Sequence, residues 1–251
     1  MLNWRAIVKN FLQNLMAQKT VLVTGGTGVL GAEIVRALKG STPCFDVTAN
    51  FCRNSERAEK VQTETKCRLH RADVGDEAQV TKMFETLPPL FAVVHAAGAA
   101  HDELLMRQSR AMWNDSLRVL ADGAFLVARA ALEKLEVGGR LVFLASRAGE
   151  QGSSGQSAYA SSKAAMLALM KCAALEGAQR QIAVNAICPG FVPSEMSDHL
   201  SAAQKEKARA KSVFGQFGKA SETAALVQWL LSEAAAGISG QVFHCDSRLS
   251  N

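Results

Sequence analysis

The chain has 251 residues, 48% of them hydrophobic and 20% charged, and a formal net charge of +5 at pH 7. That length and apolar content support one large buried core of the α/β kind. Arg5, Lys9 and Lys19 carry the excess, leaving 25 basic against 23 acidic residues from residue 20 onward. This balance excludes the clustered Lys and Arg of a nucleic-acid face, and no apolar run reaches the roughly 18 residues of a membrane span.

Residues 1–18 place Trp4, Ile7, Val8, Phe11, Leu12 and Leu15 at helical spacing around Arg5 and Lys9, a basic amphipathic extension. A membrane-surface helix, a targeting segment and a plain packing helix all fit it. Met16, just ahead of the first strand, adds the possibility of an upstream start. Packing or an upstream start is the reading preferred.

From residue 19 to 251 a single domain is expected. The runs TVLVTGG, FDVTANF, CRLHRAD, LFAVVHAAG, GRLVFLAS, IAVNAI and GQVFHCD read as strands. Helical patterns separate them: one through Leu38, others near 55–65, 76–86, 111–136 and 157–178, and ETAALVQWLLSE near the end. Short apolar runs alternating with amphipathic helices predict a doubly wound Rossmann fold, about seven parallel strands with helices on both faces. The six cysteines at 44, 52, 67, 172, 188 and 245 have no CxxC-like spacing, which predicts reduced thiols and a cytoplasmic setting.

The first strand runs into Thr24-Gly25-Gly26-Thr27-Gly28-Val29-Leu30-Gly31. Glycines at 25, 28 and 31 between a strand and a helix start let backbone approach a pyrophosphate, which the helix N-terminus then stabilises. The second strand ends in Asn50-Phe51-Cys52-Arg53, with no acid before Glu56. A base there suits the extra phosphate of NADPH, whereas an acid would suit the ribose of NAD; a solvated surface arginine is the plainer alternative. Asp73, followed by Val74, stands where an adenine contact or a turn cap would fall.

Further along, Tyr159-Ala160-Ser161-Ser162-Lys163 puts Tyr159 and Lys163 four apart on one helix face, with Ser146 thirteen residues upstream of the tyrosine. An ammonium close to a phenol could lower the phenol's pKa and make a proton-delivery pair. By spacing alone an exposed, functionless pair fits as well.

Taken together, the glycine loop, His95-Ala96-Ala97-Gly98 after the fourth strand, Ser146, YASSK and Pro189-Gly190-Phe191-Val192 resemble the short-chain dehydrogenase/reductase family over residues 20 to about 246. Within the family the chain is most similar to the 3-oxoacyl-(acyl-carrier-protein) reductases, through HDELLMRQSRAMWND and FGKASETAALVQWLLSEAAAGISGQVFHCD. The resemblance implies an NADPH-dependent reduction of a 3-oxoacyl thioester to the 3-hydroxyacyl form. Ser146 would polarise the carbonyl, Tyr159 would donate a proton, and Lys163 would bind the nicotinamide ribose and lower the tyrosine pKa. Gly25, Thr27, Gly28, Val29, Leu30, Gly31, Arg53, Asp73, Val74, Ala97 and Gly98 would hold the cofactor, joined by Pro189, Gly190, Val192 and Ser194 beside the nicotinamide.

Three departures stand out. Val29 occupies a usual glycine position, giving GxxGxxG in place of TGxxxGxG. Counting from Trp113 to Gly123 and Phe125 puts Leu120 where the family has a catalytic asparagine that holds a water for proton resupply. His95 replaces an asparagine, and Ser247-Arg248 replace two glycines. Leu120 opens a second reading, a weakly active or inactive cofactor-binding subunit of a mixed oligomer.

The resemblance also implies a carrier-bound, CoA-bound or small ketone substrate, with acyl carrier protein contacting Arg180, near Lys171, although a cation offsetting the helix macrodipole explains Arg180 equally well. Helices 111–136 and 157–178, apolar on more than one face, suggest a homotetramer or mixed oligomer.

Overall fold

The computed structural model describes residues 18–99, 101–194 and 201–248. The N-terminal extension expected over residues 1–18 therefore lies, apart from its last residue, outside the described residues.

Seven strands form one parallel sheet: β1 (Thr20–Thr24), β2 (Asp46–Phe51), β3 (Arg68–Arg71), β4 (Leu90–His95), β5 (Leu135–Leu144), β6 (Ala183–Pro189) and β7 (Val242–Cys245). Their order is β3-β2-β1-β4-β5-β6-β7. Because the order reverses between β1 and β4, the connections leave these strands in opposite directions and open a crevice at their C-terminal ends, where doubly wound proteins bind ligands. The fold matches the sequence expectation, and the central strands are apolar in nearly every position because both faces are covered.

On one face lie α1 (Val29–Lys39), α2 (Ser55–Thr65) and α9 (Ala220–Leu230), burying Ile34, Val35, Leu38, Val61, Val227 and Leu230 against Val21, Val23, Ala92 and Val94. On the other lie α3 (Glu77–Thr86), α4 (Arg110–Leu117), α5 (Gly123–Lys134) and α7 (Ser157–Gly177), burying Met83, Phe84, Val127, Ala131, Met166 and Met170 against Leu22, Val93, Leu141 and Phe143. Two short helices, α6 (Ala148–Gln151) and α8 (Ala202–Ala210), were not anticipated; α8 is too polar to show a buried stripe and relies on a Ser201/Gln204 capping box.

Two other features differ from the sequence reading. The long helix expected over 111–136 is interrupted by a π-helical turn, Arg118–Asp122, and ends at Lys134. No loop then precedes β5, which starts at Leu135. Gly138, at φ 78°, lets the strand carry an irregularity there, so that Leu90 pairs with Leu135 and Ala92 with Arg140.

The edge strand β7 is fastened to the sheet by a buried ion pair. Arg147 donates from Nε to Asp246 Oδ2 at 2.6 Å and from Nη2 to Oδ1 at 3.0 Å, with the two side chains 6% and 2% exposed. A fork-shaped bidentate pair of this kind fixes geometry as well as charge. Removing one member leaves the other charged and buried, so Arg147→Ala is expected to lower unfolding stability by about 3–5 kcal/mol, read as a reduced urea midpoint.

Candidate active site

A cavity of about 1370 Å³ opens at the C-terminal ends of the strands, between the glycine loop, the strand ends and α7. All the candidate residues from the sequence line it: Gly25, Thr27, Gly28, Val29, Leu30 and Gly31 of the loop, then Arg53, Asp73, Val74, Ala97, Gly98, Ser146, Tyr159, Lys163, Pro189, Gly190, Val192 and Ser194. The topology brings these distant segments to one wall because β1, β2, β4, β5 and β6 all end on the same side of the sheet.

The loop is built by close approach. A Cβ on Gly31 would stand 2.1 Å from the Gly25 carbonyl oxygen, and one on Gly25, which sits at φ 61°, would stand 2.6 Å from Ala97 Cα. Neither position admits a side chain. Val29, the first residue of α1, is 39% exposed, so the departure at that position leaves the turn itself intact. Asn50 braces the loop from beneath: its Oδ1 accepts from Gly25 N–H at 3.3 Å, and its Nδ2 donates to the carbonyl of Ala72 at 3.0 Å. Sequence reasoning passed over Asn50, although an amide in an otherwise apolar strand signals a buried polar task.

Arg53 is exposed at the end of β2 and lines the cavity together with Arg57. Asp73 has two partners: Oδ1 accepts from the Gly75 N–H at 2.9 Å, and Oδ2 accepts from Arg118 Nη1, also at 2.9 Å. The turn-capping role weighed for it is thus present, with an ion pair besides. Arg118, a further lining residue that sequence reasoning missed, is held above its usual range chiefly by the hydrogen bond to Asp73.

At the opposite end of the cavity, β5 delivers Ser146 and α7 delivers Tyr159 and Lys163. Lys163 is 5% exposed and donates from Nζ to the Leu144 carbonyl at 2.6 Å. Its Nζ lies 5.8 Å from the centre of the Tyr159 ring. Burial lowers the lysine from 10.5 to about 8. Burial also pushes the Tyr159 phenol up, and the opposing influence is a hydrogen bond with Ser146. The ammonium expected to lower the phenol is aimed instead at a strand-end carbonyl, so desolvation governs the tyrosine.

His95 is fully buried, with Nδ1 2.9 Å from Thr24 Oγ1 and an edge-on contact to Phe143. Its Nε2 has no partner among the described residues, and desolvation, with Lys163 adding repulsion, lowers its pKa to about 3. The ring is therefore neutral and only half satisfied. Leu120 is fully buried in the π turn, with its Cδ2 against Gly98, and it lines the cavity. Ser247, at φ 44°, adopts the left-handed conformation that glycine favours, and Ser212 Oγ lies 2.6 Å from Ser247 Oγ. Arg180 is half-buried and donates to the carbonyls of Leu132 and Leu135, which ties its guanidinium to the end of α5.

Both the sequence and the fold are similar to those of known proteins. The sequence model of a family described as enoyl-(acyl carrier protein) reductase matches residues 30–248. A 3-oxoacyl-[acyl-carrier-protein] reductase of Staphylococcus aureus is 33% identical over 237 residues, 90% of this chain and 96% of that one. The protein of the same description from Aquifex aeolicus is 32% identical over 235 residues, covering 90% and 95%. Among solved structures, BdcA in complex with NADPH superposes with a TM-score of 0.86 at 22% identity, covering 93% of this chain and 96% of that one. A variant of the actinorhodin polyketide ketoreductase with NADPH gives 0.81 at 27% identity, covering 92% and 96%.

The lysine can be tested through stability. Below pH 8 Lys163 is charged in both folded and unfolded chains, and the folded state bears the full burial cost; that cost fades as pH rises from 8 to 10.5. Lys163→Met is accordingly expected to raise the urea midpoint at neutral pH by an amount equivalent to about 3 kcal/mol, less the lost bond to Leu144. The difference should close as the pH approaches 10.5.

Proposed function

The chain belongs to the short-chain dehydrogenase/reductase family, and on that premise we propose that it is an NADPH-dependent carbonyl reductase acting on a 3-oxoacyl thioester, carried by acyl carrier protein or CoA, to give the 3-hydroxyacyl form. One observation carries this reading: the Ser146 and Tyr159 hydroxyls and the Lys163 ammonium line the same cavity as a glycine loop whose Gly25 and Gly31 admit no Cβ. Relatives 33% and 32% identical to this chain are described as 3-oxoacyl-[acyl-carrier-protein] reductases, which supports the substrate class.

The residues fit the dinucleotide. Gly25, Gly28 and Gly31 leave backbone open to a pyrophosphate at the start of α1. Arg53 and Arg57 line the end of the cavity where the 2′-phosphate would lie. NADPH, when bound, supplies the hydride. The chain's own task is the carbonyl oxygen. As that oxygen gains negative charge, the Ser146 and Tyr159 hydroxyls donate to it, an oxyanion-type stabilisation, and Tyr159 gives up its proton. A phenol held high by burial keeps its proton until the developing alkoxide, a stronger base, takes it. Lys163, on the same helix face, would return a proton to the phenol and would hold the nicotinamide ribose of a bound cofactor.

A second reading rests on Leu120. An apolar side chain at the asparagine position holds no water by hydrogen bonding, which supports a weakly active cofactor-binding subunit in a mixed oligomer. The exposed Phe125 on α5 and Leu175 on α7, 47% and 78% accessible, favour assembly through these helices in either reading.

NADPH oxidation with an acetoacetyl thioester separates the two. Measurable turnover by the native chain is expected, and Tyr159→Phe should reduce kcat by about 10²- to 10⁴-fold. Leu120→Asn should raise kcat and leave KM nearly unchanged. Turnover seen only in Leu120→Asn supports the partner-subunit reading, and full activity in Tyr159→Phe removes the proposed donor. For the cofactor, Arg53→Ala should cut the NADPH-over-NADH preference in kcat/KM by about ten- to a hundredfold, the worth of a hydrogen bond to a charged group. An unchanged preference would move the phosphate contact elsewhere.

A further inference from the structure

Next to the catalytic cavity, but outside its lining, the fold gathers three atoms that the proposed reaction does not use. Glu150 offers a carboxylate oxygen from α6, Cys188 its sulfur from β6, and His244 a ring nitrogen from β7, and these atoms all lie within 4.8 Å of one another. Cys188 and His244 are register partners on neighbouring parallel strands, so the sheet itself fixes two of the three. Glu150 closes the set with Oε2 2.7 Å from His244 Nε2.

We propose that Glu150, Cys188 and His244 form a metal site for a zinc-class divalent cation, bound by one carboxylate oxygen, one thiolate sulfur and one imidazole nitrogen, with water in the fourth position. A tetrahedral zinc ion, with bonds of about 2.0–2.3 Å, sets its ligands about 3.3–3.8 Å apart. The three atoms need to shift by about 1 Å to meet it, a movement that the exposed Glu150 side chain can supply.

The donor chemistry selects the ion. One sulfur, one nitrogen and one oxygen suit a borderline-soft metal and are poor ligands for magnesium or calcium, which require oxygen sets. Thiolate and carboxylate together cancel a double positive charge. Two cations act on the thiol: the Lys163 ammonium, whose repulsion the thiolate and carboxylate must offset, and the Arg147 guanidinium, which is already paired with both oxygens of Asp246. Access comes from the side of Glu150 and His244, whose side chains are 30% and 27% exposed, while the sulfur beneath is fully buried.

Binding breaks the Cys188 S–H bond, forms a sulfur–metal bond and releases the proton to solvent. Burial pushes this thiol up to about 12; Glu150 and Asp246 add to the shift, and Lys163 of α7 and Arg147 oppose it. The metal therefore competes with a tightly held proton. Affinity should rise about tenfold per pH unit for the one thiol proton displaced.

Cobalt(II) is the probe, added to the full chain without an affinity tag. The expected result is one ion per chain with a sulfur-to-cobalt charge-transfer band, displaced by zinc, and one proton released per ion. Cys188→Ser should abolish the band. Glu150→Gln and His244→Gln, at partly exposed positions that should leave the fold intact by circular dichroism, should each weaken cobalt binding by about tenfold or more. These two variants also keep the test decisive if Cys188→Ser does not fold. Cys172→Ser and Cys245→Ser should change nothing. Absence of the band in the native chain, its survival in Cys188→Ser, its loss in Cys245→Ser, or native affinity in both Glu150→Gln and His244→Gln would overturn the assignment.

Discussion

A buried ammonium with no carboxylate partner among the described residues is the constraint around which this molecule is arranged. Lys163 is 5% exposed, and its hydrogen-bond partners are the Leu144 carbonyl and the Met166 sulfur. Burying a charge on such terms costs stability, and the lowering of its pKa to about 8 reflects that cost. Two packed cores, one on each face of the sheet, hold the cation where water would otherwise reach it. Gly149 contributes directly, since a Cβ there would lie 2.7 Å from the Lys163 carbonyl carbon, so α6 can pack closely on α7 only through glycine.

The same logic of close backbone approach governs the other end of the cavity. At Gly25 and Gly31 the space that a side chain would take is filled by the backbone of Ala97 and of Gly25 itself. β1, the loop and the end of β4 are thereby locked into one unit, with Asn50 as the brace. The end that holds Ser146, Tyr159 and Lys163 is defined by a buried charge and the glycine-loop end by missing side chains. Both depend on parallel strands that end in register at the crevice.

Much of this was legible in the sequence because it rests on local signals. Strand and helix periodicity, the glycine spacing and the four-residue step from Tyr159 to Lys163 are short-range facts, and the sheet and the cavity lining follow from them. Features that depend on distant partners were not legible. Asp73 meets Arg118 forty-five residues away. Arg147 meets Asp246 across ninety-nine. The π turn gave no compositional sign, because Arg118-Val-Leu-Ala-Asp122 reads as ordinary helix. The expected strand GRLVFLAS starts at Gly139, whereas β5 begins at Leu135, because residues 135–138 read as a helix end and loop while here Gly138 sits in a strand irregularity. Spacing alone leaves Lys163 open between the phenol and no function, and the family resemblance assigns it to the phenol; the choice between a phenol and a strand-end carbonyl is made by tertiary packing.

Leu120 and Lys163 are best understood together. A proton store works best when its pKa lies near the working pH. Burial brings the lysine from 10.5 to about 8, so at neutral pH it exchanges protons far more readily than a solvated lysine. Leu120, fully buried in the π turn and lining the same cavity, has no polar atom with which to hold a water on the way to this group. His95, neutral, fully buried and with Nε2 unpaired, offers the ammonium no counter-charge. On the reductase reading, the departures at positions 95 and 120 therefore leave the proton donors in place and shift the burden to how quickly protons reach them from the cavity side, past Ser146 and Tyr159. A rate limited in that way would depend on pH through Lys163, and Tyr159, held high by burial, would stay protonated throughout.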